Sequence, residues 1–168
     1  MNRIAKFEKV TKEQFEKDYR DNFKIAIGID NIHENIKLPK RSTKGSAGYD
    51  FYSPVDIVLS PGKSAVIPSG IRAWMEPGWV LQCYPRSGLG FKYHMKLANS
   101  CGIIDSDYYY SSNEGHIMFK IVNGSVDKML IIKAGDKIIQ GIFLPYGITK
   151  DDEADGIRDG GFGSTGIQ

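Results

Sequence analysis

The first ordered pattern of polar and apolar positions along the chain is helical. Thr11 and Gln14 have the spacing of a capping box, in which each side chain can satisfy the other's free backbone N–H. Phe15 and Tyr19 then lie four apart on one face, with Lys12, Glu13, Glu16 and Lys17 on the other. This predicts a short amphipathic helix docked on its own domain. After Phe23 the text changes to brief apolar runs broken by proline, glycine and asparagine. Strands are predicted at Lys24–Ile29, Tyr49–Ser53, Val55–Leu59, Ala65–Trp74, Trp79–Tyr84, His116–Asn123, Met129–Ile132 and Lys137–Leu144, with a polar stretch from Asn31 to Pro39. His116–Asn123 alternates cleanly, with Ile117, Phe119 and Ile121 on one face and His116, Met118 and Lys120 on the other. A short helix is expected near Leu89–Met95. Short strands at regular spacing with few helices predict an all-β sandwich, jelly roll or barrel.

The end of the chain behaves differently. Thr149–Gly156 is polar and acidic, and a glycine-rich tip carrying Arg158, Phe162, Ser164 and Thr165 follows. A solvated tether with such a tip predicts a mobile arm. The expected division is an N-terminal helical extension over 1–23, a β core over 24–147, and tether plus arm over 148–168.

Composition narrows the class. A chain of 168 residues buries a full core without disulfide or metal staples. Its 22 basic and 20 acidic residues leave a formal charge of +2, too near neutral for a general nucleic-acid binder. Nineteen glycines, about 11% against a usual ~7%, reinforce the turn-rich reading. The two cysteines form no disulfide framework, and the three scattered histidines offer no metal-ligand spacing. No apolar run reaches the roughly 18 residues of a spanning helix, and the acidic N-terminal segment is unlike a signal peptide. The expectation is a cytoplasmic protein with reduced thiols and no membrane partner.

Three stretches can carry chemistry. Gly161-Phe-Gly-Ser-Thr-Gly166 matches G-x-G-x-x-G but does not open a helix, so it reads as amides and hydroxyls able to converge on phosphate, with Arg158 adding charge. Pro85-Arg86-Ser87-Gly88 sits at a strand-to-helix turn, either an ordinary turn or an anion site. Ile103 and Ile104 place Asp105 at the end of an apolar strand, followed by Asp107, Tyr108, Tyr109 and Tyr110. A carboxylate held there is either a turn cap or a general base for water.

Taken in order, these segments resemble the five motifs of the trimeric dUTPases: Ala47-Gly-Tyr-Asp-Phe-Tyr-Ser53, Pro85-Arg-Ser-Gly-Leu-Gly90, Gly102-Ile-Ile-Asp-Ser-Asp-Tyr108, Gly135-Asp-Lys-Ile-Ile-Gln140 and Gly160-Gly-Phe-Gly-Ser-Thr-Gly166. The resemblance runs from about Leu38 to the C-terminus. It implies a jelly-roll (β-clip) subunit in a homotrimer with shared active sites, and hydrolysis of dUTP to dUMP and pyrophosphate with Mg²⁺. It implies that Asp105 activates water and that Asn99, Gly102 and Ile104 belong to the uracil site. Tyr108 would pack on deoxyribose and exclude a 2′-hydroxyl. Arg86, Ser87, Gly88 and Gln140 would hold phosphates, with Asp50 supporting them. Arg158, Ser164 and Thr165 would close on the γ-phosphate, Phe162 would stack on uracil, and Gly163 would be substrate-binding. The metal would be held by phosphates and water, with no direct protein ligand.

The chain departs from the family pattern at Tyr109–Glu114, which lengthens the third motif, and between Arg158 and the Gly-Gly pair, which is one residue shorter. A dCTP-deaminase relative is the nearest rival, but its glutamate would fall at Lys120. A dUTP-sensing regulatory protein is the rival of another class.

Overall fold

The computed structural model describes residues 2–23, 29–156 and 158. In chain order the elements are β1 (Ala5–Lys9), α1 (Lys12–Phe23), α2 (Ile29–Asn35), β2 (Lys40–Arg41), β3 (Tyr49–Tyr52), β4 (Ile57–Leu59), β5 (Ser64–Pro68), β6 (Ile71–Met75) and β7 (Trp79–Pro85). They continue with α3 (Ser87–Tyr93), β8 (Lys96–Leu97), β9 (Gly102–Ile104), a 3-10 turn (Ser106–Tyr110), β10 (Met118–Val122), β11 (Leu130–Ile132) and β12 (Lys137–Pro145). All described pairings are antiparallel: a five-stranded sheet β2-β3-β12-β7-β9, a three-stranded sheet β5-β10-β8, and the pairs β1-β6 and β4-β11. The fold is an all-β jelly roll. Inward side chains of the two larger sheets meet edge to face, as where Phe51 of β3 lies 5.3 Å from Phe119 of β10. Leu81, Cys83, Ile121, Ile138 and Ile139 fill the space around them.

The N-terminal helix forms as its spacing requires. Gln14 N–H donates to Thr11 Oγ1 at 3.3 Å, and Phe15 and Tyr19 are buried. The reciprocal half of the capping box is not made, because Gln14 Nε2 turns instead to Asp18 Oδ2 at 2.8 Å. Ahead of the helix, segment 5–9 is a strand, with Phe7 packed on Tyr49, Phe51 and Phe143.

Three expectations change. The run Ala65–Trp74 is two strands, because Gly70 takes a left-handed φ of +72° and interrupts the extended chain between β5 and β6. Most of Lys24–Ile29 lies outside the described residues; Ile29, its expected last residue, opens α2 instead, and the helix runs on into the polar stretch as far as Asn35. His116, set by alternation on the face opposite Ile117, is fully buried as Ile117 is. It precedes β10, so strand parity does not govern it, and its ring reaches Asp18 of α1.

Candidate active site

A cavity of about 540 Å³ opens where the chain passes from one sheet to the other. β8 pairs with β10 in the three-stranded sheet, while β9 pairs with β7 in the five-stranded one. The turn between them is tight: Ser100 sits at φ +66° and donates to Leu97 O, and Cys101 N–H donates to Asn99 O at 2.7 Å. Gly102 packs closely, since a Cβ there would lie 3.2 Å from Cys83 Cβ. Cys83 itself is sealed, and burial, with Cys101 adding to it, pushes its thiol pKa far up. Asn99, Gly102, Ile104, Asp105, Tyr108 and Arg158 all line the cavity.

Asp105 ends β9 in extended conformation and precedes the 3-10 turn, but its side chain caps nothing. It accepts instead from Arg158 Nη2, while Arg158 Nε donates to Asp107 Oδ1 at 2.8 Å. Between cap and pocket carboxylate, the geometry favours the pocket. Tyr108 forms the inner wall. Its hydroxyl donates to His116 O and accepts from Asn113 Nδ2, both at 2.8 Å, and burial raises its phenol pKa. Lys120, Met118 and Phe119 of β10 complete the lining. Met118 and Phe119 did not stand out as site residues in the sequence, because their alternation reads equally as ordinary strand.

A second group forms on the five-stranded sheet. Asp50, nearly sealed from solvent, accepts from Arg86 Nη1, from Lys137 Nζ at 2.8 Å and from Ser42 Oγ at 2.7 Å. Burial pushes the Asp50 pKa up, but the bonds from Lys137 and Ser42 and the Arg86 charge outweigh it and hold the carboxyl below its ordinary value. A bulge builds this group. Lys137 opposes Tyr52 while Gln140 opposes Asp50, so one residue near Ile138 is extra. Three residues apart, Lys137 and Gln140 would otherwise face opposite sides of the sheet; the bulge brings both to the Asp50 face. Arg86 N–H donates to Ile138 O at 3.1 Å, which fixes the start of α3, so that Ser87 and Gly88 stand exposed beside two cations sharing one carboxylate. Lys137 and Ser42 were missed in the sequence, since only the bulge and the short β2-β3 ladder bring them there.

The dUTPase family profile matches residues 34–166, most of the chain. The chain belongs to the dUTPase family. A deoxyuridine 5'-triphosphate nucleotidohydrolase of Lactococcus lactis subsp. lactis is 42% identical over 134 residues, covering 78% of this chain and 89% of that one. The crystal structure of dUTPase from Streptococcus mutans is 35% identical and covers 85% of this chain and 97% of that one, with a TM-score of 0.65. A dUTPase from phage phi11 of S. aureus, described with a structural Mg(II) ion, shares the fold at 20% identity, a TM-score of 0.65, and coverage of 92% and 98%.

Within one copy of this dUTPase-family chain, the expected site residues fall into two groups. Asn99, Gly102, Ile104, Asp105, Tyr108 and Arg158 share the cavity; Asp50, Arg86, Ser87, Gly88 and Gln140 share the sheet group. Ile104 opposes Leu81 on an antiparallel ladder, so Asp105 is level with Val80, six positions from Arg86. At ~3.3 Å per residue Asp105 and Arg86 stand roughly 20 Å apart along β7, while Gly102, opposite Cys83, and Gln140, opposite Tyr84, flank β7 nearly level with each other. Phe162, Gly163, Ser164 and Thr165 lie outside the described residues. Among the described residues no cluster of three or more His, Cys, Asp or Glu side chains could hold a metal, and no helix is long and apolar enough to cross a membrane.

Proposed function

We propose that this chain hydrolyses dUTP to dUMP and pyrophosphate at a site completed by neighbouring copies in a homotrimer, the cavity of one subunit meeting the Arg86 group of another. The observation that carries the reading is the cavity itself: a carboxylate at the end of an apolar strand, walled by a buried tyrosine and open beside the turn at Asn99. Asn99 and the backbone of Gly102–Ile104 offer donors and acceptors to a uracil edge. Tyr108 fills the space beside the sugar where a 2′-hydroxyl would sit.

Asp105 takes a proton from water as the water oxygen attacks the α-phosphorus. The bond from that phosphorus to the bridging oxygen breaks, and pyrophosphate leaves. Arg158 supports this twice. It pairs with Asp105 and Asp107; a triphosphate offers it stronger charge-assisted acceptors and frees Asp105 for water. Arg86, Ser87 and Gln140 supply positive charge and donors to the phosphates. Gly88 leaves room: beyond its chain neighbours and its own helix backbone, a Cβ there would meet no atom within 4 Å. Phe162, Gly163, Ser164 and Thr165 would complete the site as the C-terminal arm closes.

Mg²⁺ fits this donor set as an ion carried in by the phosphates, since Asp105 lines the cavity and Asp107 shares Arg158 with it, but they form no protein cage among the described residues. When bound it supplies neutralisation of phosphate charge. Lys120 in the cavity wall disfavours deamination, because an ammonium there cannot do the work of a carboxylate. Pyrophosphate release measured with dUTP, UTP, dCTP and dTTP tests the whole reading. Release from dUTP alone is expected. Ammonia release from dCTP, or tight dUTP binding without turnover, would overturn it.

A further inference from the structure

The N-terminal strand and helix touch the segment that follows Tyr108 at three places, all outside the chemistry described above. Thr11 donates its backbone N–H to Glu114 Oε2 at 2.8 Å and its hydroxyl to Glu114 Oε1 at 2.6 Å. Tyr109 hydroxyl donates to Glu8, and the Arg72 guanidinium lies 4.4 Å from the Tyr109 ring centre. Asp18 accepts from His116 Nδ1 at 2.6 Å. Gly70 N–H donates to His116 Nε2 at 2.8 Å, so the hydrogen-bond network assigns the ring proton to Nδ1, aimed at Asp18.

These contacts converge on one residue. The Tyr108 hydroxyl is held by His116 O and Asn113 Nδ2, so one group that fixes the tyrosine adjoins the anchor point Glu114 and the other belongs to the anchor residue His116. The intervening turn has no slack. Glu114 sits at φ +58° and Gly115 at φ +69°, where a Cβ would lie 2.7 Å from Tyr108 O. Both halves also lie where the chain leaves the family pattern: β1 and α1 precede the matched residues 34–166, and 109–114 lengthens the third motif.

We propose that β1, α1 and residues 109–116 form a brace that sets the position of Tyr108, making Thr11, Glu114 and Asp18 positioning residues for deoxyribose selection. This rests on the reading of Tyr108 given above. The carboxylate of Glu114 accepts two donors at the helix N-terminus, where negative charge is favoured, so the helix and the inserted turn order each other. Neither anchor touches the nucleotide; each acts through the Tyr108 hydroxyl.

The test uses the full-length chain with Thr11→Ala, Thr11→Ser, Glu114→Ala and, as control, Tyr108→Ala. Two quantities are read in variants that retain wild-type circular dichroism: amide hydrogen exchange over residues 105–111, and the ratio of kcat/KM for dUTP to that for UTP. Thr11→Ala and Glu114→Ala should each speed exchange across 105–111 and lower the ratio about fivefold, the equivalent of one ordinary hydrogen bond, with kcat for dUTP little changed. Thr11→Ser, which keeps the hydroxyl, should restore both. Unchanged exchange in the folded variants overturns the brace. So does an unchanged ratio when Tyr108→Ala shifts it, or an equal loss for both nucleotides. If Tyr108→Ala itself leaves the ratio unchanged, the sugar reading falls and exchange alone decides the brace.

Discussion

Two aspartates show how environment divides one residue type into two tasks. Asp105 stands at the cavity with half its side chain exposed, within reach of water and of Arg158. Asn at this position keeps the shape and removes the base, so Asp105→Asn should lower kcat by ~10²–10⁴-fold while dUTP still binds. Single-turnover assay together with equilibrium binding of dUTP checks both halves, and wild-type turnover would remove Asp105 from its role. Asp50 is nearly sealed, and its pKa lies below the ordinary 3.8 because Lys137, Ser42 and Arg86 outweigh burial. A carboxyl whose folded pKa is depressed stabilises the fold above its unfolded pKa and loses that contribution as pH falls through the folded one. Asp50→Asn should therefore destabilise the protein most at neutral pH, with the gap from wild type narrowing below about pH 4. Urea unfolding of both proteins at pH 7 and pH 3 measures it, and a gap that is the same at both pH values would show that the charge on Asp50 is not what stabilises it.

At the scale of elements, what could be read in advance is what local chemistry decides. The alternation of Ile117, Phe119 and Ile121 placed β10 correctly, and Thr11 with Phe15 and Tyr19 placed α1, because each pattern concerns neighbours along the chain. β1 was missed because three of its five residues are charged and only Phe7 carries large apolar surface; its burial comes from Tyr49, Phe51 and Phe143, far away in sequence. The division between β5 and β6 was missed for a different reason. A glycine in an apolar run does not declare its handedness, and only the packed structure shows why Gly70 must be glycine. A Cβ there would lie 2.2 Å from Ile36 Cδ1 and 3.3 Å from Phe15 Cδ2, at a φ of +72°. Left-handed strain and overpacking together predict about 2–4 kcal/mol of destabilisation for Gly70→Ala. Thermal unfolding should show a Tm lower by roughly 5–15 °C for a domain of this size. A shift within a degree of wild type would mean that Ile36 and α1 give way freely, and that this junction is not rigid.

The whole molecule sets the arrangement that no motif order conveys. Motifs two and three follow each other in sequence, yet β7 runs antiparallel to β9 and carries Arg86 and Asp105 to opposite ends, roughly 20 Å apart. If both serve one triphosphate, they must come from different copies, and the proposed trimer then has a consequence that kinetics can read. Subunits bearing Asp105→Asn keep a sound Arg86 group; subunits bearing Arg86→Ala keep a sound cavity. Each variant alone should form trimers of nearly inactive sites. Co-expressed in equal amounts and assembled at random in a closed ring, they should place an intact cavity against an intact Arg86 group in about a quarter of interfaces. Activity per site should then rise to roughly a quarter of wild type, well above the mean of the separate variants. Sedimentation of the mixture establishes that the assemblies are intact before the rates are compared. Were both groups used within one subunit, no mixed trimer would contain a complete site, and the rate would stay at the mean of the two variants.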